Sequence, residues 1–187
     1  MVAFALLATV CTMNAQVAET IQKSKERAEK LQKLCYGYKT GGNGNIDGFG
    51  DAVKGAAVFA IENSVQLENM YKRQIGESVD GVTDVTVTKP TLDEWVTFAT
   101  TVFGEGAKLK EATDKAKAAG EEAKSIAENA KNEKNPMKAG KAAKMAKGAA
   151  AVVTFGNEAT VILGEETAAQ AKAVNEIIET LKSGKNL

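Results

Sequence analysis

The sequence contains no histidine at all, two cysteines, two prolines and only 5 % aromatic residues in 187. Without histidine the commonest general base, the Ser-His and Cys-His nucleophile pairs and nearly all transition-metal sites are excluded. Scarce aromatics and prolines, set beside an abundance of Ala, Lys and Glu, disfavour a sheet and favour helices. The 24 basic and 24 acidic side chains cancel, so the whole chain presents no field that would draw it to nucleic acid or to a lipid surface. At 44 % apolar it can nevertheless bury a core.

Val2 to Val10 is an uncharged apolar run followed by Cys11-Thr12-Met13-Asn14-Ala15-Gln16. It reads as the hydrophobic part of a secretory leader, residues 1–15, cleaved after Ala15. The expectation is an exported protein, periplasmic or extracellular, of a bacterium. The first basic residue is Lys23, so the basic part of the leader is expected upstream of Met1. Two alternatives stand beside this: the run extends the first helix, or Cys11 carries a lipid, which the bulk of Val10 disfavours. A membrane span needs about 20 apolar residues. Cleavage would leave Cys35 alone, so no intramolecular disulfide is expected in the mature chain.

Apolar or small residues recurring at intervals of three and four predict an all-α antiparallel four-helix bundle with helices at about 16–36, 48–76, 91–131 and 136–183. Val17, Ile21, Ser24, Ala28, Leu31 and Cys35 form the first stripe. Leu92, Trp95, Ala99, Val102, Gly106, Leu109, Thr113, Ala116, Gly120, Ala123, Ala127 and Ala130 form the third, with no charged member. In the fourth helix Ala146, Ala149, Val153, Gly156, Thr160, Leu163, Thr167, Gln170, Val174, Ile177 and Leu181 follow the pattern, Gln170 being the exception. Thr91-Leu92-Asp93-Glu94 is a capping box, and Asn135-Pro136 an N-cap followed by proline in the first helical position. Gly37 to Gly50 is expected as a loop and 78–89 as an extended segment or β-ribbon turned by Asp80-Gly81.

Along the last two helices the side chains are bulky near Trp95, Phe103, Val161 and Leu163 and shrink to Ala and Gly towards the turn. The expectation is one helical domain, 16–187, from which an alanine-rich hairpin arm, 113–151, projects. From Lys108 to Lys147 there are 11 Lys against 6 acidic residues. Lys134, Lys138, Lys141, Lys144 and Lys147 concentrate this charge just beyond the turn and form the candidate interaction surface.

No site for chemistry emerges. Adjacent carboxylates such as Glu121-Glu122 and Glu165-Glu166 read as solvated helix faces. Asn43-Gly44-Asn45-Ile46-Asp47-Gly48 opens like a calcium loop, but its twelfth position is Lys54 where a Glu should close the cage. A glycine-rich turn capped by Asp47 is the better reading. No catalytic residue, cofactor or metal is expected.

The run Ala112-Thr113-Asp114-Lys115-Ala116-Lys117-Ala118 resembles the Ala, Lys and Glu repeats of late-embryogenesis-abundant proteins. This likeness is compositional, and the bulky apolar residues elsewhere argue against membership. A body with basic helical arms is similar in outline to periplasmic holdase chaperones, with no motif matched residue by residue. The favoured function is binding of a protein partner or self-association. The alternative is a membrane-active protein that rearranges its C-terminal hairpin, motivated by the apolar stretch Ala149 to Leu163. Nucleic acid is not expected, because the basic stretch has no aromatic residue for stacking.

Overall fold

The structure, a computed structural model, describes residues 2–76, 88–185 and 187, without the side chains of residues 2–14. The chain is all-α: α1 (Val2–Gly37), α2 (Gly44–Ile75), α3 (Leu92–Asn132) and α4 (Pro136–Lys182) pack together as four helices, with no strand among the described residues. The extended segment expected at 78–89 falls almost wholly outside those residues, and Thr88 and Lys89 belong to no strand.

The boundaries follow local chemistry. At the start of α3 the Thr91 hydroxyl accepts from the Glu94 amide at 3.2 Å, and the Glu94 carboxylate accepts from the Thr91 amide at 2.6 Å. The Asn135 side chain accepts from the amides of Met137 and Lys138, so Pro136 opens α4 as expected. Two boundaries differ. α1 starts at Val2 and not at residue 16, because nothing between Val2 and Ala15 breaks a helix. α2 starts at Gly44 and not near residue 48, because the Asp47 amide already donates to the Asn43 carbonyl at 2.8 Å.

The chain divides into two compact units, and each of the four helices contributes a segment to both. Unit 1 comprises residues 1–29, 60–104 and 165–187. Its core joins Val17 and Ile21 of α1, Leu67, Met70 and Tyr71 of α2, Trp95, Phe98 and Val102 of α3, and Val174, Ile177 and Ile178 of α4. The middle of α1 and the beginning of α3 thus meet the ends of α2 and α4, which makes α1–α2 and α3–α4 antiparallel pairs. The Trp95 indole donates to Gln74 at 3.0 Å, so the largest buried ring keeps its polar atom satisfied.

Unit 2 comprises residues 30–59 and 105–164, and its buried side chains include Leu31, Ile46, Phe49, Val53, Val152, Phe155 and Leu163. Glycine makes two close approaches possible here. A Cβ on Gly156 would lie 2.1 Å from the Phe49 ring, and one on Gly148 would lie 3.2 Å from the Gly41 carbonyl oxygen. Between Ala119 and Ala149 no residue is buried. The charge divides with the units: unit 1 has 14 acidic and 9 basic residues, a net of −5, and unit 2 has 10 and 15, a net of +5.

The stripe expected on α3 holds at Trp95, Ala99 and Val102 and then slips. Glu105, Ala112 and Ala119 are buried, whereas Thr113 is exposed. The shift of one residue falls at Gly104–Glu105, where unit 1 gives way to unit 2, and the buried positions then recur every seven residues. Phe103 and Val161, bulky neighbours of the expected stripes and members of neither, are 58 % and 65 % exposed.

Candidate functional site

Three features carry the polar chemistry of the molecule. The first is a buried cluster in unit 1, where the Glu166 carboxylate is fully enclosed. Its Oε2 accepts from Arg27 Nε at 2.5 Å, and its Oε1 accepts from the Ser24 hydroxyl and from Gln170 Nε2. Ser24 in turn lies 2.8 Å from the Ser64 hydroxyl, and Gln170 Nε2 also donates to the Ala60 carbonyl. Glu166 is therefore not on a solvated face, as its pairing with Glu165 suggested; only Glu165 is exposed. Gln170, the exception in the fourth stripe, is there because it sits one turn beyond Glu166 and shares its oxygen.

An isolated carboxylate in an apolar interior is very costly, and a guanidinium with three further polar groups offsets most of that cost. Two atoms of the cluster, Arg27 Nη2 and Gln170 Oε1, are buried without a hydrogen-bond partner. Ser24, Glu166 and Gln170 are each 0 % exposed, and Arg27 alone of the pair reaches the surface, its side chain partly exposed. The geometry of the cluster ties α1, α2 and α4 together within unit 1.

The second feature is an open groove of about 740 Å³ in unit 1, running between α2 and α3. Ile61, Val65, Met70 and Phe98 give it an apolar floor, and Glu62, Asp93, Glu94 and Arg73 form its charged edge. Arg73 is engaged, donating through Nε and Nη2 to the Thr88 carbonyl. Hydrogen bonds from the Thr91 amide and hydroxyl hold the Glu94 carboxyl below its usual value, so that edge stays anionic. Glu62 and Asp93 have no cationic partner among the described residues. Sequence reasoning missed this groove, although the interruption of the apolar face of α2 by Glu62 and Gln66 beside Val65 was a visible signal.

The third feature is the row of lysines expected from the sequence. Lys134 lies in the turn, and Lys138, Lys141, Lys144 and Lys147 follow along α4; all five are exposed. None of them makes an ion pair among the described residues, unlike Lys110, Lys115 and Lys117 before the turn, which pair with Asp114, Glu111 and Glu121. Beside them Met137 is 91 % exposed.

Elsewhere the 38–43 loop closes on Asp47, whose carboxylate accepts from the amides of Gly41, Gly42 and Asn43. The one carboxylate in the opening of the calcium-like motif, at its fifth position, thus serves as the clamp of a glycine-rich turn. Cys35 is half-buried, and burial pushes its thiol above the usual range while the nearby Lys54 opposes the shift. Among the described residues no cluster of three or more acidic, His or Cys side chains could hold a metal ion, and no helix is long and apolar enough to cross a membrane.

Comparison with protein-family models, with curated proteins and with solved structures finds no match.

Proposed function

We propose that this chain is an exported, non-enzymatic helical protein that acts by binding other protein chains, in a chaperone-like or structural role. The observation that carries the reading is the groove between α2 and α3, an apolar floor open to solvent and edged by charge. Apolar area of this kind, left uncovered on a helical surface, is what an amphipathic segment of another chain buries. The absence of histidine and the enclosure of Glu166 support binding over catalysis.

Export rests on the apolar run Val2–Val10 and the small residue Ala15. Removal of the first fifteen residues would leave Val17 as the first buried side chain of α1, so the core of unit 1 keeps every described member. The alanine-rich stretch 113–151 serves in this reading as a projecting basic arm, whose base at Gly148 is covered by the Gly41 backbone.

The test is dilution of a chemically denatured client protein into buffer containing the full chain. Suppression of client aggregation at a near-stoichiometric ratio, weakened by Val65→Asp in the groove, is the expected result. Unchanged aggregation at a large excess of the chain would overturn the reading. Flotation with anionic vesicles at low salt, with no effect on the client, would favour membrane action instead.

A further inference from the structure

We infer that the partner of the groove is a second copy of this chain: the basic tip of one molecule, Lys134 to Lys147, lies in the acidic-edged groove of the next. This rests on the reading of the chain as a protein-binding module and names its occupant. Three observations meet here. The groove on unit 1 places Glu62, Asp93 and Glu94 around Ile61, Val65 and Phe98. The tip on unit 2 carries five lysines without an ion pair among the described residues, together with Met137, the most exposed large apolar side chain described apart from Tyr36. Net charges of −5 and +5 on the two units make the surfaces complementary in sign as well as in pattern.

The dimensions agree. From Ile61 to Arg73 the α2 wall of the groove is about 18 Å long, and from Pro136 to Lys147 the tip helix is about 17 Å long, at 1.5 Å per residue. The tip turns Ala139, Ala142, Ala146 and Ala149 towards its own unit, which leaves Met137, Gly140, Lys141 and Lys144 on the outward face. Nothing lies within 4 Å of the Cβ that Gly140 lacks, so no contact within the chain requires glycine there. That turn is open to a close approach by the groove wall of another molecule.

Because the tip and the groove are different surfaces, one contact leaves a free tip on one molecule and a free groove on the other, which either pair with each other or take up further copies. One short helix face in a groove makes a small interface, so single contacts are weak and the assembly grows with concentration.

Sedimentation velocity on the full chain tests this. The native protein is expected to associate with rising concentration, and an increase in salt from 0.05 M to 0.5 M should weaken the association roughly tenfold or more. Lys138→Glu/Lys141→Glu in the tip and Glu62→Lys/Asp93→Lys in the groove alter exposed side chains, so helicity should be retained, with a slightly lower melting temperature for the second because Asp93 lies in the first turn of α3. Each variant alone is expected to be monomeric. An equimolar mixture of Lys138→Glu/Lys141→Glu with Val65→Asp should form one-to-one pairs and stop there, because the only intact groove and the only intact tip belong to different molecules; a mixture that stays monomeric would count against the inference. Combining both charge reversals in one chain should restore growth. A native chain that remains monomeric at about 1 mM, or association that neither variant weakens, would overturn the inference. Suppression of client aggregation by such a monomer would leave the binding role standing.

Discussion

Arg27 Nε donates to Glu166 Oε2 at 2.5 Å, with the carboxylate fully enclosed and the guanidinium side chain 15 % exposed. This pair joins α1 to α4 across 139 residues of sequence. Removing one partner strands the other in a poorly solvated place, which typically costs about 3–5 kcal/mol, whereas replacing both with apolar side chains is often neutral or stabilising. Glu166→Leu should therefore lower unfolding stability by that order, and Arg27→Met/Glu166→Leu should recover most of the loss. Urea denaturation followed by circular dichroism measures both. A double variant as unstable as the single one would mean that the pair contributes net stability and does not merely fix the arrangement.

The glycines of α4 should respond in opposite senses. Gly156→Ala drives a methyl group into the Phe49 ring and should cost about 1–3 kcal/mol by overpacking, with partial recovery in Phe49→Leu. Gly140→Ala meets nothing within the chain and should stabilise the monomer by about 0.5–1 kcal/mol. The same Gly140→Ala change should weaken self-association. Thermal melts of dilute protein, beside sedimentation of concentrated protein, separate the two effects.

Much of this architecture was legible in the sequence because helix stripes and caps are local. Val17, Ile21, Ser24, Ala28 and Leu31 are all buried, and the Thr91–Glu94 box and Asn135 cap form as their residue types require. The illegible parts are those where a non-local partner reverses a local preference. Glu166 reads as solvent-facing until Arg27 and Ser24 are known to lie beside it, and Gly148 reads as a weak point in a helix until Gly41 is found against it. The groove was hidden for a related reason: it exists only where α2 and α3 are side by side.

Stability should fall at both ends of the pH scale for assignable reasons. Lys72, hydrogen-bonded at 2.7 Å, and the Lys25 ammonium hold the Glu68 carboxyl below its ordinary value of 4.5. A depressed folded pKa contributes stability above the unfolded value and loses it as pH falls through the folded one. Tyr38 is the converse: burial, and then its hydrogen bond to Asp51 at 2.9 Å, push its hydroxyl above the ordinary value of 10. Its contribution is complete below pH 10 and is lost as pH rises beyond it. Glu68→Gln should flatten the acid limb of a stability-against-pH curve and Tyr38→Phe the alkaline limb; limbs unchanged in both variants would refute these assignments.

The Cys35 thiol is raised by burial, so less of it is thiolate at neutral pH than in a free cysteine. Alkylation by iodoacetamide should be slower in the native chain than in the chain unfolded by urea at the same pH. Equal rates would place the sulfur in solvent and contradict the packing of unit 2 around it.

Hydrogen exchange of the native chain at two concentrations reports on the tip-to-groove contact segment by segment. In dilute solution amides from 134 to 147 should exchange rapidly, while those of the unit 1 core near Trp95 and Ile177 stay protected. On concentration, protection should rise together at 134–147 and at 61–73 and 93–101, and at no other described segment. Protection that does not change with concentration, or that rises away from both surfaces, would contradict the account.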